Sequence, residues 1–156
     1  MNRGQLFNHT WFLVGRSDHL KHLHQFVKSK KDQVAILSGR GGIGKTKILQ
    51  AFSSSLHAVS PKLRAYFVEE GVNITIESLD ELPSLPCVVL VDDAHRNESL
   101  PVLFAYIHQR QRPIKLVLST RSHGADSLIS SLIRAGYDSS ALVHLDGLLP
   151  VSKTPS

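Results

Sequence analysis

The chain carries one cysteine, Cys87, one tryptophan and one methionine. A single thiol cannot form a disulfide framework or a multi-cysteine metal site. Cys87 lies inside an apolar run, so it reads as an inert buried thiol, compatible with a reducing compartment. No apolar stretch approaches the ~18 residues needed to cross a membrane. The polar start, Met1 to Thr10, lacks the apolar segment of a signal peptide. The expected location is the cytoplasm, with no membrane partner. The nine histidines show no tight metal-ligand spacing; His19, His22 and His24 crowd one helix and read as a solvated face. Basic residues outnumber acidic ones, for a net charge of +5, but they are scattered. Their densest cluster, Lys28, Lys30 and Lys31, falls at a helix end, where cations complement the dipole. With neither a basic stripe nor an aromatic platform, nucleic acid is not an expected partner of this core.

What is present is an alternation. Short apolar runs suited to buried strands take turns with apolar residues at helical spacing, the pattern of an α/β protein. Apolar runs at Val34–Ser38, Lys62–Val68, Cys87–Val91, Lys115–Thr120 and Ala141–Leu145 predict five strands. A short extended segment, Trp11–Arg16, precedes them, and Ser17 is the expected N-cap of the first helix. With 156 residues the chain is long enough for one independent core. It divides into a flexible start (1–10), a core (11–147) and a tail (148–156).

Between the first of the five strands and the helix after it lies Gly39-Arg40-Gly41-Gly42-Ile43-Gly44-Lys45-Thr46, a full match to G-x-x-x-x-G-K-[ST]. Such a loop curls around phosphate with its backbone N–H groups turned inward, and the glycines permit that approach. The helix that follows turns its positive dipole end to the anion. Lys45 supplies a cation for the β- and γ-phosphates, and the Thr46 hydroxyl an oxygen for Mg²⁺. The loop alone does not name a reaction.

Asp92 and Asp93 follow the buried strand Cys87–Val91. At such a tip Asp92 can hold Mg²⁺ through its water shell and Asp93 can polarise an attacking water. The competing reading of the pair is a helix N-cap or a solvated turn. The next strand ends Ser119-Thr120-Arg121, where a permanently charged guanidinium can reach a γ-phosphate and a hydroxyl can bond the attacking water. A plain surface arginine is the alternative. His95 and Arg96 lie just beyond the acids and can line the same site.

Four elements in this order resemble the STAND class of P-loop ATPases, which includes the NB-ARC and NACHT groups: Val14-Gly15-Arg16, the loop Gly39–Thr46, the strand Val88–Asp93 and the strand Val117–Arg121. The resemblance implies a parallel sheet of five strands in the order 5-1-4-3-2, flanked by helices in three layers. It implies ATP or ADP with Mg²⁺ as cofactors, Val14 and Arg16 against the adenine and ribose, and slow hydrolysis serving a signalling switch. In the family a lid and a winged-helix domain follow the core, and Val143–Pro150 looks like the entry to that lid. Protein partners or self-association are expected to run through those further domains.

Three other readings share parts of this evidence. A small-molecule kinase would use Glu69 and Glu70 at the end of the second strand for its acceptor. A partitioning-type ATPase would carry a lysine where Arg40 stands, and a different sheet order. A scaffold would bind ATP without hydrolysing it. No N-K-x-D motif is present to read guanine.

Overall fold

The computed structural model describes residues 9–12, 16–40 and 44–146. Their elements, in chain order, are β1 (His9–Phe12), α1 (Arg16–Lys28), β2 (Val34–Ser38), α2 (Lys45–Val59), β3 (Arg64–Val68), α3 (Ile76–Asp80), β4 (Cys87–Val91), α4 (Leu100–Arg110), β5 (Ile114–Thr120), α5 (Ala125–Arg134) and β6 (Leu142–Asp146). All strand pairings are parallel, and the six strands lie in the order β1-β6-β2-β5-β4-β3. The last five positions are the expected 5-1-4-3-2 order. It is also the order that separates this chain from partitioning-type ATPases.

The sixth strand is an addition. The extended segment expected over 11–16 forms a strand earlier, at His9–Phe12, where it pairs with Val143–Asp146 on the outer side of β6. The helix after it begins at Arg16, so Ser17 lies inside α1 and is not its N-cap.

Strand and helix periods account for the three layers. Every residue of β2 and of β4 is buried, and side chains alternate between the two faces of a strand. Ala35, Leu37, Val88, Leu90, Val117, Val143 and Leu145 pack with Leu23, Phe26, Leu49 and Phe52 of α1 and α2. Their neighbours Val34, Ile36, Val89, Val91, Leu116, Leu118 and Leu142 pack with α4 and α5 through Leu103, Phe104, Leu128 and Leu132. Burying one such side chain contributes about 1.5–3 kcal/mol before entropy is counted. The continuous apolar strands therefore require helices on both faces. Cys87 is buried in the second of these clusters, and burial pushes its thiol pKa up, as an inert core thiol requires.

The histidines of α1 do not form a solvated face. His19 is buried, and His24 meets Ser55 of α2 at 2.7 Å with its ring 5.0 Å from Phe52. Helical spacing turned His24 towards α2. At its far end α1 is closed by Lys115 of β5. The Lys115 ammonium donates to the carbonyls of Phe26 at 3.1 Å, Ser29 at 2.6 Å and Asp32. The Phe26 carbonyl belongs to the last turn of α1, and those of Ser29 and Asp32 to the segment just beyond it.

Among the described residues, no helix is long and apolar enough to cross a membrane.

Candidate functional site

In a parallel sheet with helices on both faces, the carboxyl ends of all strands lie along one edge, and ligands bind there. β2, β5 and β4 are adjacent, so residues 39–46, Ser119–Arg121 and Asp92–Asp93 are brought to that edge side by side. The register shows how close the tips are: Ser38 stands opposite Thr120, and Val91 opposite Leu118. The start of the phosphate loop is tied to β5 directly, since the Gly39 N–H donates to the Thr120 carbonyl at 3.2 Å.

The loop closes into α2 through Gly44, whose φ of 80° falls in the left-handed region. A side chain there would be strained, so glycine suits this position. Lys45 begins the helix and is only 7% exposed. Its ammonium folds back onto the loop, donating to the carbonyls of Gly39 at 3.1 Å and Arg40 at 3.0 Å. Burial lowers its pKa, Asp93 and Asp92 raise it, and Arg121 lowers it. Lys45 therefore lies within reach of the charges of Asp93, Arg121 and Asp92.

Asp92 is held from two sides. Thr46 donates its hydroxyl proton to Asp92 Oδ2, and Ser119 donates its own to Oδ1. Ser119 in turn accepts the Asp93 N–H at 2.9 Å. Asp93 sits at φ 49°, ψ 49°, left-handed backbone that Asp tolerates better than most residues. That turn sends the chain away from β4 immediately after Asp92. Asp93 also borders a polar cleft of about 340 Å³ lined by Glu70, Asn73, Arg96 and Ser99, with Arg96 and Glu70 3.8 Å apart.

Thr120 is committed to protein partners as well. Its hydroxyl donates to the Arg121 carbonyl at 2.9 Å and lies 3.1 Å from His95 Nδ1. Burial is the main cause that lowers the His95 pKa, keeping the ring neutral. Both hydroxyls that the sequence offers for an attacking water are thus used to fix the acids and the arginine turn.

Of the residues expected to bind nucleotide, Gly39 is buried and Arg40 exposed, while Gly41, Gly42, Ile43 and Val14 lie outside the described residues. Arg16 opens α1, but its side chain is outside the description. Arg121 is exposed at the tip of β5.

Two features had no signal in the sequence. One is the Ser119 bridge between the paired aspartates. The other is a buried pair, Ser38 Oγ and His144 Nε2 at 2.5 Å, which joins β2 to β6 directly behind the loop. Sequence reading places both residues on strands and cannot pair residues 106 positions apart.

Oxygen donors dominate the place where Thr46 meets Asp92, which suits a hard cation such as Mg²⁺. Among the described residues no group of three or more His, Cys, Asp or Glu side chains forms an all-protein metal cage. That also suits Mg²⁺, which usually binds through one or two carboxylates, waters and phosphate oxygens.

The family model described as novel STAND NTPase 5 matches residues 15–132. No curated protein matches the chain in sequence. Three solved structures share its fold. The Saccharomyces cerevisiae Hsp104–ADP complex is 13% identical with a TM-score of 0.63, over 90% of this chain and 23% of that one. Aeropyrum pernix ORC1 in complex with DNA is 18% identical with a TM-score of 0.57, over 88% and 46%. A Thermotoga maritima RuvB K64R mutant is 22% identical with a TM-score of 0.54, over 83% and 45%. The chain thus spans under half the length of each. At these identities the likeness is one of fold.

Proposed function

The chain belongs to the novel STAND NTPase 5 family, and on that premise we propose that it is an ATP- and Mg²⁺-binding switch module that hydrolyses ATP slowly to ADP within a signal-transduction protein. The observation that carries this reading is the contact of Thr46 with Asp92, beside a buried Lys45 that lies in the field of Asp93, Arg121 and Asp92. Lys45 is ready to exchange its two carbonyl contacts for phosphate oxygens, which are stronger acceptors. When bound, Mg²⁺ would neutralise phosphate charge, with Thr46 and Asp92 as its protein partners. Asp93, turned out beside Asp92, is the group to orient and polarise water. Arg121 is assigned to sensing the γ-phosphate. Gly39–Thr46 form the phosphate loop, and Val14 and Arg16 are assigned to the adenine and ribose. The core is assigned to residues 11–147, the cytoplasm is the proposed location, and protein partners or self-association belong to further domains.

Calorimetric titration with ATP and with ADP, each with and without Mg²⁺, tests the binding. Lys45→Ala should weaken ATP by about 1.5–3 kcal/mol, a roughly 10- to 150-fold loss. No heat and no thermal stabilisation by either nucleotide would sink the proposal.

A small-molecule kinase is the second reading, because the cleft beside Asp93 carries Glu70 and Arg96 and can seat an acceptor. Phosphate released to water with no acceptor added counts against it. A scaffold without hydrolysis would bind ATP and release no phosphate.

A further inference from the structure

β3 ends the sheet on the side opposite β1, with β4 as its inner neighbour. Among the described residues, no segment hydrogen-bonds to its outer side. Such an edge offers a row of backbone N–H and C=O groups to another strand, and proteins often blunt it with a proline or a bulge. β3, Arg64-Ala65-Tyr66-Phe67-Val68, contains no proline. Its pairing with β4 runs unbroken from Arg64 opposite Cys87 to Val68 opposite Val91, so no bulge interrupts it. Tyr66, Phe67 and Val68 are residue types that favour strand pairing. Phe67 is 43% exposed.

The two faces of the strand differ. Leu63 and Ala65 pack with the core under α1 and α2, while Tyr66 and Val68 pack with the core on the opposite face. By alternation Phe67 shares the face of Ala65. A groove of about 400 Å³ lies between α2 and β3, lined by Leu56 and Pro61 and by Leu63, Arg64, Ala65 and Tyr66. Four successive residues whose side chains alternate in direction border one groove along an edge of the strand, and β4 occupies the inner edge. The groove therefore opens at the outer edge, and much of its lining is apolar.

Charge along this stretch is ordered. Lys62 and Arg64 stand at its start, Glu69 and Glu70 at its end, and all four are exposed. Two copies paired in parallel would set like charges opposite each other. Paired antiparallel about Phe67, they set Arg64 beside Glu70 of the second copy, Tyr66 beside Val68, and Phe67 beside its own counterpart. This is the self-complementary arrangement that a two-fold interface requires. Phe67 of each copy then lies diagonal to Ala65 of the other, within reach for an aromatic side chain, at the mouth of the groove. Glu70 stands 3.8 Å from Arg96, a long contact between exposed side chains that leaves its carboxylate open to a second cation.

We propose that the chain forms a two-fold dimer by antiparallel pairing of β3 with β3 of a second copy, which joins the two sheets into one. Main-chain hydrogen bonds supply the affinity; the order of charges sets the direction, and the Phe67 pair sets the register. No residue of this seam belongs to the phosphate loop or to the tips of β4 and β5, so the dimer does not rest on the nucleotide reading.

Sedimentation velocity on the full chain tests it, over concentrations spanning a dissociation constant on the order of 10 μM, as suits a small interface. A monomer–dimer equilibrium is expected. Arg64→Glu should weaken the dimer about tenfold or more, because each like-charge contact occurs twice across the two-fold. Glu69→Lys together with Glu70→Lys should do the same. All three changes combined reverse the charge order without destroying it, and should restore the dimer to within about threefold of wild type. The changed residues are exposed, so each variant should unfold at the wild-type temperature, which separates lost pairing from lost folding. Under mild oxidation Phe67→Cys should crosslink one copy to the other. Val59→Cys, about as exposed but on α2, should not. A monomer at every concentration would overturn the proposal. So would a dimer indifferent to the charge changes, or one that crosslinks through Val59→Cys and not through Phe67→Cys.

Discussion

Ser119 donates its hydroxyl proton to Asp92 across the boundary between β5 and β4, while its oxygen accepts the Asp93 N–H at 2.9 Å. One small side chain thus sets the rotamer of the first acid and the backbone turn of the second. The strand that ends in Arg121 and the strand that ends in the aspartates are locked together at the residue before each diverges.

Ser119→Ala removes both contacts and leaves the half-buried Asp93 N–H with only its longer bond to Asp92 Oδ1 at 3.2 Å. Stability should fall by about 1–3 kcal/mol, read as a shift of the urea midpoint at unchanged slope. Phosphate release should fall several-fold while ADP affinity stays near wild type. ADP binding that falls as steeply as turnover would show that Ser119 holds the loop and not the acids.

Asp92→Asn keeps the shape of the side chain and removes its charge. The difference in ATP affinity with and without Mg²⁺ should shrink to near nothing, while metal-free ATP binding stays the same or improves slightly through lost repulsion. Calorimetry with EDTA in one arm checks it. A variant that retains the full Mg²⁺ effect would move the metal ligand elsewhere.

Gly124 follows the β5 tip, and a Cβ there would run into Thr120 Oγ1 and stand 2.5 Å from His95 Cβ. Gly124→Ala should cost about 1–3 kcal/mol by overpacking. It should also lower turnover, because the atoms displaced hold the Arg121 turn. A melting temperature equal to wild type would show that this corner yields without strain.

Lys115→Met keeps the length of the side chain and removes three donations, one to the last turn of α1 and two to the segment after it. A loss of about 1–3 kcal/mol is expected, with nucleotide affinity unchanged because the residue lies at the far edge. Hydrogen exchange should rise in the last turn of α1 before it rises in α2.

His24 is kept neutral, mainly by burial and secondarily by Lys28. Its folded pKa is below 6.5, so below that pH the unfolded chain binds the proton more readily. Stability should therefore be full above about pH 6.5 and decline as pH falls towards the folded pKa. His24→Gln, which can keep the Ser55 contact, should shrink the drop in melting temperature between pH 7 and pH 5. An identical pH profile in wild type and variant would remove His24 from this effect.

The sequence by itself determined five of the six strands and the helices that alternate with them, and its motifs carried the family resemblance that implied their parallel order. Glycine, lysine and threonine at fixed spacing after an apolar strand constrain the backbone locally, and runs such as Cys87–Val91 can only be covered on both faces. Locally coded features were legible for that reason, down to Asp92 at the tip of β4. What only the tertiary structure decided were relations between distant residues. It made Ser119 the keeper of both acids, tied Gly39 to Thr120, turned His24 of α1 onto α2, and added β1 outside β6. Strand register and helix rotation set each of these, and both are fixed by packing summed over the whole sheet, which no short segment of the chain contains.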